Sequence, residues 1–209
     1  MNIPNLLTLS RFFLSALMLG FLGSSAPWSK TAALVAFGMA ALTDALDGYL
    51  ARNVYGVTPI GSLLDPLADK VMICCALVGF VELQLIPAWI VVLILSREFL
   101  VTGLRVLAGT RGQIISAGTW GKHKTGWQIA VIVILLLGLC LRDDWAVAWL
   151  ASAPLAAANA DVWFHAIAYV VAVGAALITV VSGILYFIDH RDLIVEHLNQ
   201  PGVRTGDNK

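Results

Sequence analysis

Apolar segments of membrane length dominate this sequence. A helix that crosses a bilayer needs about 20 mainly apolar residues. The 209-residue chain is 59% hydrophobic and 12% charged, whereas soluble domains carry about 25% charged residues. Backbone groups in lipid must be hydrogen-bonded internally, and the runs are continuous rather than alternating, so each is expected to be a helix and not a barrel strand. The predicted spans are 6–23, 31–52, 65–83, 87–108, 126–141 and 162–188.

Lysine and arginine are unequally divided between the two sets of span ends, and cytoplasmic ends carry the excess. The poorer set holds only Lys30 and Arg142. We therefore predict an all-α integral membrane protein with six transmembrane helices and both termini in the cytoplasm. Polar and apolar residues alternate over 2–10, which predicts a short interfacial segment before the first span. Residues 1–190 are predicted to form one membrane domain, and 191–209 a polar, disordered cytoplasmic tail.

Four acidic residues lie inside the apolar segments, namely Asp44, Asp47, Asp65 and Asp69. A carboxylate at bilayer depth costs at least ~2.5 kcal/mol, so four of them need partners. Helical periodicity places the first two on one face of a helix and the last two on one face of the next. A short linker predicts that these helices are antiparallel neighbours whose acidic faces meet near the cytoplasmic end. The residues that share those faces are Gly48, Ala51, Arg52 and Gly61.

Clustered carboxylates predict divalent cations and phosphate chemistry. Oxygen-only ligands favour Mg²⁺ or Mn²⁺, and four acids suffice for two ions that orient a diphosphate. Arg52 would neutralise phosphate charge, and Thr58 would donate to a phosphate oxygen. Asp69, at the edge of the cluster, would take a proton from an incoming hydroxyl. The competing interpretation is a set of buried salt bridges to Lys70, Arg52 and Arg97, but the charges balance poorly and the small residues stay unexplained.

A second group of basic residues lies on the predicted cytoplasmic side and suits a phosphorylated acceptor, because arginine binds phosphate bidentately and lysine as a point charge. Its alternative role is positive-inside anchoring, or an internal ion pair with Glu98 or an aspartate for the deepest arginine. At the N-terminus, Asn5 and Thr8 lie one turn apart and are predicted to contact a nucleotide or headgroup, with helix capping as the alternative. Zero net charge gives no indication of nucleic acid as a partner. The basic group is Arg97, Arg105, Lys122 and Lys124.

The acidic residues belong to a longer motif, Asp44-x2-Asp47-Gly48-x2-Ala51-Arg52-x8-Gly61-x3-Asp65-x3-Asp69. On this motif, with all of its fixed positions present, the chain resembles the CDP-alcohol phosphotransferase family. The resemblance implies transfer of a substituted phosphate from a CDP-alcohol to a hydroxyl, with release of CMP and help from two divalent cations. It also implies that the four aspartates hold the metals, that Asp69 is the general base, and that the CDP portion contacts Gly48, Arg52 and Thr58.

Looser motifs at 2–11, 65–70, 96–99, 103–105 and 121–125 resemble a bacterial branch of that family. This implies CDP-diacylglycerol and sn-glycerol 3-phosphate as substrates and phosphatidylglycerophosphate and CMP as products. It further implies a homodimer in the bacterial cytoplasmic membrane, with the active site facing the cytoplasm. One alternative keeps the chemistry with inositol phosphate, serine or phosphatidylglycerol as acceptor. Another is a cation transporter with the acids as its ion path.

Overall fold

The computed structural model describes residues 3–50, 59–109, 119–145, 154–189 and 191, and its long elements are all helices. This confirms the all-α prediction. Each predicted span overlaps one α-helix, and α5 continues into a π-helical segment, Cys140–Trp145. The helices are α1 (Ile3–Gly23), α2 (Ser29–Leu50), α3 (Pro59–Glu82), α4 (Ala88–Gly109), α5 (Thr119–Leu139) and α6 (Pro154–Asp189).

Four helices in the described part of the chain are long and apolar enough to cross a membrane. Their apolar stretches belong to α1, α2, α5 with its π-helical segment, and α6. In α3 the charged residues Asp65, Asp69 and Lys70 lie close together, and in α4 Arg97 and Glu98 are adjacent near the middle of the helix. The protein is therefore a membrane protein. The prediction of six spans is not settled by length and composition. The apolar stretches are Leu6–Gly23, Ser29–Tyr49, Gly126–Trp145 and Asn159–Asp189.

Two helices start earlier than the predicted spans. Ile3–Gly23 is one continuous helix, so the segment before the span predicted at 6 is helical and joins it without a break. Helix α3 begins at Pro59, whereas the span was predicted from 65, so Pro66 lies in the helix interior. A proline there removes one backbone hydrogen bond. The predicted tail lies outside the described residues except for Arg191, which is helical.

Helix α1 packs along both α2 and α3, whereas α2 and α3 touch each other at few positions. The prediction that α2 and α3 are neighbours whose acidic faces meet is confirmed at a few positions, where Asp47 of α2 and Asp65 of α3 share the hydroxyl of Thr8. Helix α1 is nevertheless the main packing partner of each. Helix α6 packs against α4 and α5. The core is apolar and includes Met18, Leu22, Phe37, Phe80, Leu135 and Leu136. Large apolar side chains also cover the outer surface, as a lipid environment requires, and include Phe13, Leu42, Val92, Ile134 and Val170.

The turn from α3 to α4 is set by a Schellman motif. Gln84 adopts a left-handed backbone conformation, with φ of 57°. Its amide donates to the carbonyl of Val81 at 2.9 Å, and the amide of Leu85 donates to the carbonyl of Phe80 at 2.9 Å. These bonds satisfy carbonyls that the helix end leaves without partners. Leu85 and Phe80 are both buried, so the reversal is fixed by packing as well as by hydrogen bonds.

Polar contacts join the π-helical segment to α2 and α6. Asp144 accepts hydrogen bonds from the amide of Thr31 at 2.6 Å and from its hydroxyl at 2.7 Å, so it caps the start of α2. Arg142 donates to Asp161 at 3.1 Å, and its guanidinium carbon lies 5.0 Å from the ring centre of Phe164. These contacts lie at the end of the bundle where α1 ends and α2 begins.

Candidate active site

One face of α1 is buried along its whole described length. Its buried residues follow a spacing of three and four, which keeps them on one side of a helix. The first three positions are polar and the last two are apolar core residues. Ser15 donates to the backbone carbonyl of Arg11 at 2.7 Å, an internal bond of the helix. The buried series is Thr8, Arg11, Ser15, Met18 and Leu22.

Thr8 joins a carboxylate of α2 to a carboxylate of α3. Its hydroxyl oxygen lies 2.7 Å from Asp47 Oδ2 and 2.7 Å from Asp65 Oδ1. A hydroxyl carries one proton and so donates to one of these carboxylates at a time. Asp47 is only 2% exposed, so it depends on such a partner. Thr8 was predicted to contact a nucleotide or headgroup. In the structure its hydroxyl oxygen contacts two of the four aspartates, Asp47 and Asp65.

Arg11 joins the other two aspartates of the motif, Asp44 and Asp69. Its Nη1 lies 2.9 Å from Asp44 Oδ1, and its Nη2 contacts Asp69 Oδ1. The arginine side chain is 0% exposed, whereas those of Asp44 and Asp69 are 48% and 49% exposed. Asp44 and Asp69 therefore form the open side of the cluster, and Asp47 its closed side.

Sequence reasoning missed this role of Arg11. Two signals could have identified it. Arg11 lies within an apolar helix, where a charge needs a partner. It also lies three residues after Thr8, on the same helix face as a residue already assigned to the site. The four aspartates do come together as predicted, although α1 supplies the atoms that join them.

The cluster suits a divalent cation in its chemistry. Its donors are carboxylate oxygens, which Mg²⁺ and Mn²⁺ prefer, and the Arg11 guanidinium already supplies positive charge to two of them. Thr8 has a single proton for the other two, so a further positive charge would complete their neutralisation. Within the described residues, no three His, Cys, Asp or Glu side chains converge as metal ligands.

The remaining predicted nucleotide contacts are only partly described. Gly48 follows Asp47 on α2 and is partly exposed, and Gly61 lies in the first turn of α3. Asn5 lies on α1, but its side chain is outside the described part. Predicted contacts that lie outside the described residues altogether are Ala51, Arg52 and Thr58.

Arg97, predicted to bind the acceptor, lies against α6. Its Nη2 donates to Ser182 Oγ at 3.0 Å, and its Nη1 lies 3.3 Å from Glu98 Oε1. The alternative prediction of an ion pair with Glu98 is therefore confirmed. A Cβ at Gly183 would lie 2.8 Å from Arg97 Cγ, so the absence of a side chain at Gly183 leaves room for the aliphatic part of Arg97. The other predicted acceptor contacts lie on α4 and α5 with side chains outside the described part, and they are Arg105, Lys122 and Lys124.

Comparison with known proteins gives consistent matches. The sequence model of the CDP-alcohol phosphatidyltransferase family matches residues 1–181. A CDP-diacylglycerol–glycerol-3-phosphate 3-phosphatidyltransferase of Bacillus subtilis is 42% identical over 149 residues, which cover 65% of this chain and 77% of the relative. A probable phosphatidylglycerophosphate synthase of Mycobacterium tuberculosis is 38% identical over 190 residues, covering 88% and 79%. A CDP-diacylglycerol–glycerol-3-phosphate 3-phosphatidyltransferase of Pseudomonas fluorescens is 40% identical over 144 residues, which cover 65% of this chain and 72% of the relative.

Proposed function

The chain belongs to the CDP-alcohol phosphatidyltransferase family, and from that premise we propose that it transfers the phosphatidyl group of CDP-diacylglycerol to sn-glycerol 3-phosphate. The products are phosphatidylglycerophosphate and CMP. The names of the relatives supply the two substrates. The observation that carries the proposal is the convergence of two carboxylate pairs on Thr8 and Arg11, with one pair half exposed.

The chemistry is an in-line displacement at the phosphorus that bears the diacylglycerol. The free primary hydroxyl of the acceptor forms the new bond to that phosphorus, and the bond to the CMP oxygen breaks. Two Mg²⁺ or Mn²⁺ ions, held by Asp44, Asp47, Asp65 and Asp69, would stabilise charge on the diphosphate and on the departing CMP.

The closed and open sides of the cluster suit different roles. Asp47 is buried and held by Thr8, which fits a carboxylate that stays fixed throughout the reaction. Asp69 is half exposed, which leaves room for an acceptor hydroxyl to approach and lose its proton to the carboxylate. A general base must lie within hydrogen-bond reach of the proton that it takes, so exposure on the substrate side supports Asp69 over Asp47 in this role.

The acceptor phosphate is a dianion and needs fixed cations near the cluster. We assign this role to Arg105, Lys122 and Lys124, which lie near the predicted cytoplasmic ends of α4 and α5. Arg97 stays in the proposed acceptor site as well, although its present contacts are with Ser182 and Glu98. Its guanidinium would have to exchange one of these contacts for phosphate.

We further propose six spans, cytoplasmic termini and a cytoplasm-facing site in the bacterial inner membrane. Arg11 and the acids lie toward the start of α1, whereas Arg142 and Lys30 lie toward its end. The proposal thus places the cluster on the side with the excess of basic residues, as the positive-inside rule requires. A homodimer is proposed from the resemblance to the family. Reactivity of single cysteines on intact cells and on inverted vesicles would test the orientation.

The test of function is CMP release by purified protein in detergent with CDP-diacylglycerol and Mg²⁺, with and without sn-glycerol 3-phosphate. We expect release only with glycerol phosphate, and its loss in Asp69→Asn. Asp161→Asn is the matched control, because it neutralises a half-exposed carboxylate at the other end of the bundle and should leave the rate unchanged. Release with inositol phosphate, serine or phosphatidylglycerol instead would overturn the acceptor. Metal flux into proteoliposomes without CMP release would favour a transporter.

A further inference from the structure

Arg11 is the most completely buried charged side chain at the site, at 0% exposed. Burying a guanidinium is costly unless carboxylates pair with it. Asp44 and Asp69 supply that pairing from α2 and α3, so the arginine links three helices. The mechanism above assigns no role to this contact.

The two carboxylates that Arg11 holds are the two on the open side of the cluster. A ligand that arrives from solvent reaches these carboxylates more readily than Asp47, which is buried. Under the proposed function both are metal ligands. A divalent cation there and a guanidinium in contact with the same carboxyl groups would repel each other, because both are positively charged.

We propose that Arg11 is an internal counter-ion that competes with divalent cations for Asp44 and Asp69. Without metal, the guanidinium neutralises these carboxylates and holds α1 against α2 and α3. Metal binding releases them from the arginine, so Arg11 weakens metal affinity while it stabilises the metal-free protein. This inference rests on the proposed function for the identity of the metal ligands.

The experiment is a titration of the purified full chain in detergent with Mn²⁺, with free Mn²⁺ measured by electron paramagnetic resonance. Arg11→Met removes the charge and keeps an unbranched side chain, and we expect it to bind Mn²⁺ at least about five-fold more tightly than the natural chain. In EDTA, Arg11→Met should unfold at a lower temperature than the natural chain. Saturating Mn²⁺ should reduce the difference between the two unfolding midpoints. Arg142→Met is the matched control, because it removes an arginine that also pairs with carboxylates at the other end of the bundle, and its Mn²⁺ affinity should be unchanged.

Weaker or unchanged Mn²⁺ binding by folded Arg11→Met would overturn the inference, as would absence of Mn²⁺ binding by the natural chain. If Arg11→Met does not fold, Arg11→Lys serves, because one ammonium cannot pair with both carboxylates as a guanidinium does. It should bind Mn²⁺ about two-fold more tightly, and equal or weaker binding would refute the competition. The two proposals fail separately. Tighter Mn²⁺ binding with no CMP release by the natural chain would contradict only the function, and unchanged binding with normal CMP release would contradict only the role of Arg11.

Discussion

Replacing Thr8 with valine tests whether α1 is part of the active site or only a packing partner. The change keeps the branched shape and removes one hydroxyl, whose oxygen lies 2.7 Å from both Asp47 and Asp65. Thr8 is fully buried, so water cannot easily replace the lost donor. Asp47, itself 2% exposed, then keeps a charge without this hydrogen bond.

The size of the effect follows from the single proton of the hydroxyl. A hydrogen bond to a charged group contributes about 1.5–3 kcal/mol, and only one is donated at a time. If the loss appears wholly in the transition state, kcat/KM falls about 10- to 150-fold, since each 1.36 kcal/mol is a factor of about ten. If part of the lost hydrogen-bond energy destabilises the fold instead, the free energy of unfolding falls by that part and kcat/KM falls correspondingly less.

The assay is CMP release at saturating Mg²⁺, together with thermal unfolding of the same preparation. Thr8→Ser keeps the hydroxyl and should retain most of the activity. Thr43→Val is the matched control on α2, because among the described residues its hydroxyl bonds to carbonyls of its own helix, at 3.0 Å and 2.8 Å. Activity of Thr8→Val equal to that of Thr43→Val would refute the role given to Thr8.

Two further predictions concern stability away from the site. Gly138→Ala should lower the free energy of unfolding by about 1–3 kcal/mol, because its new Cβ would overlap the ring of Phe164, whereas Gly126→Ala meets no neighbour within 4 Å and should not destabilise. Equal thermal midpoints for the two would contradict the packing of α5 on α6. Asp144→Ala removes the cap of α2 at Thr31 and should cost about 1 kcal/mol by thermal unfolding, with CMP release per folded molecule unchanged. A large loss of specific activity would show that this end of the bundle affects catalysis.

The acidic residues could be assigned from sequence because helical period and lipid solvation act locally. Spacing alone puts Asp44 with Asp47, and Asp65 with Asp69, on common helix faces. The partner of those faces could not be assigned, because periodicity says which face is buried but not which helix covers it. Helix α1 covers both, and Thr8 and Arg11 complete the cluster.

Helix ends were predicted less well than helix faces, because tertiary contacts decide them. The span was predicted to end at 141, but helical structure continues to Trp145 in a π-helical segment, where Asp144 bonds to Thr31 and Arg142 bonds to Asp161. The start of α3 was also predicted too late. A span from 65 would put Pro66 in the first helical turn, where proline is favoured, yet α3 starts at Pro59.

The most direct test of the proposed displacement follows the oxygen of the acceptor hydroxyl into the product. Purified protein is incubated with CDP-diacylglycerol, Mg²⁺ and sn-glycerol 3-phosphate that carries ¹⁸O in its free primary hydroxyl, and the products are analysed by mass spectrometry. Direct attack by that hydroxyl predicts that all of the label is retained in phosphatidylglycerophosphate and none appears in CMP, with the two products formed in equal amounts. Release of CMP without labelled lipid, or a phosphatidyl group trapped on the protein, would contradict direct transfer at the carboxylate cluster.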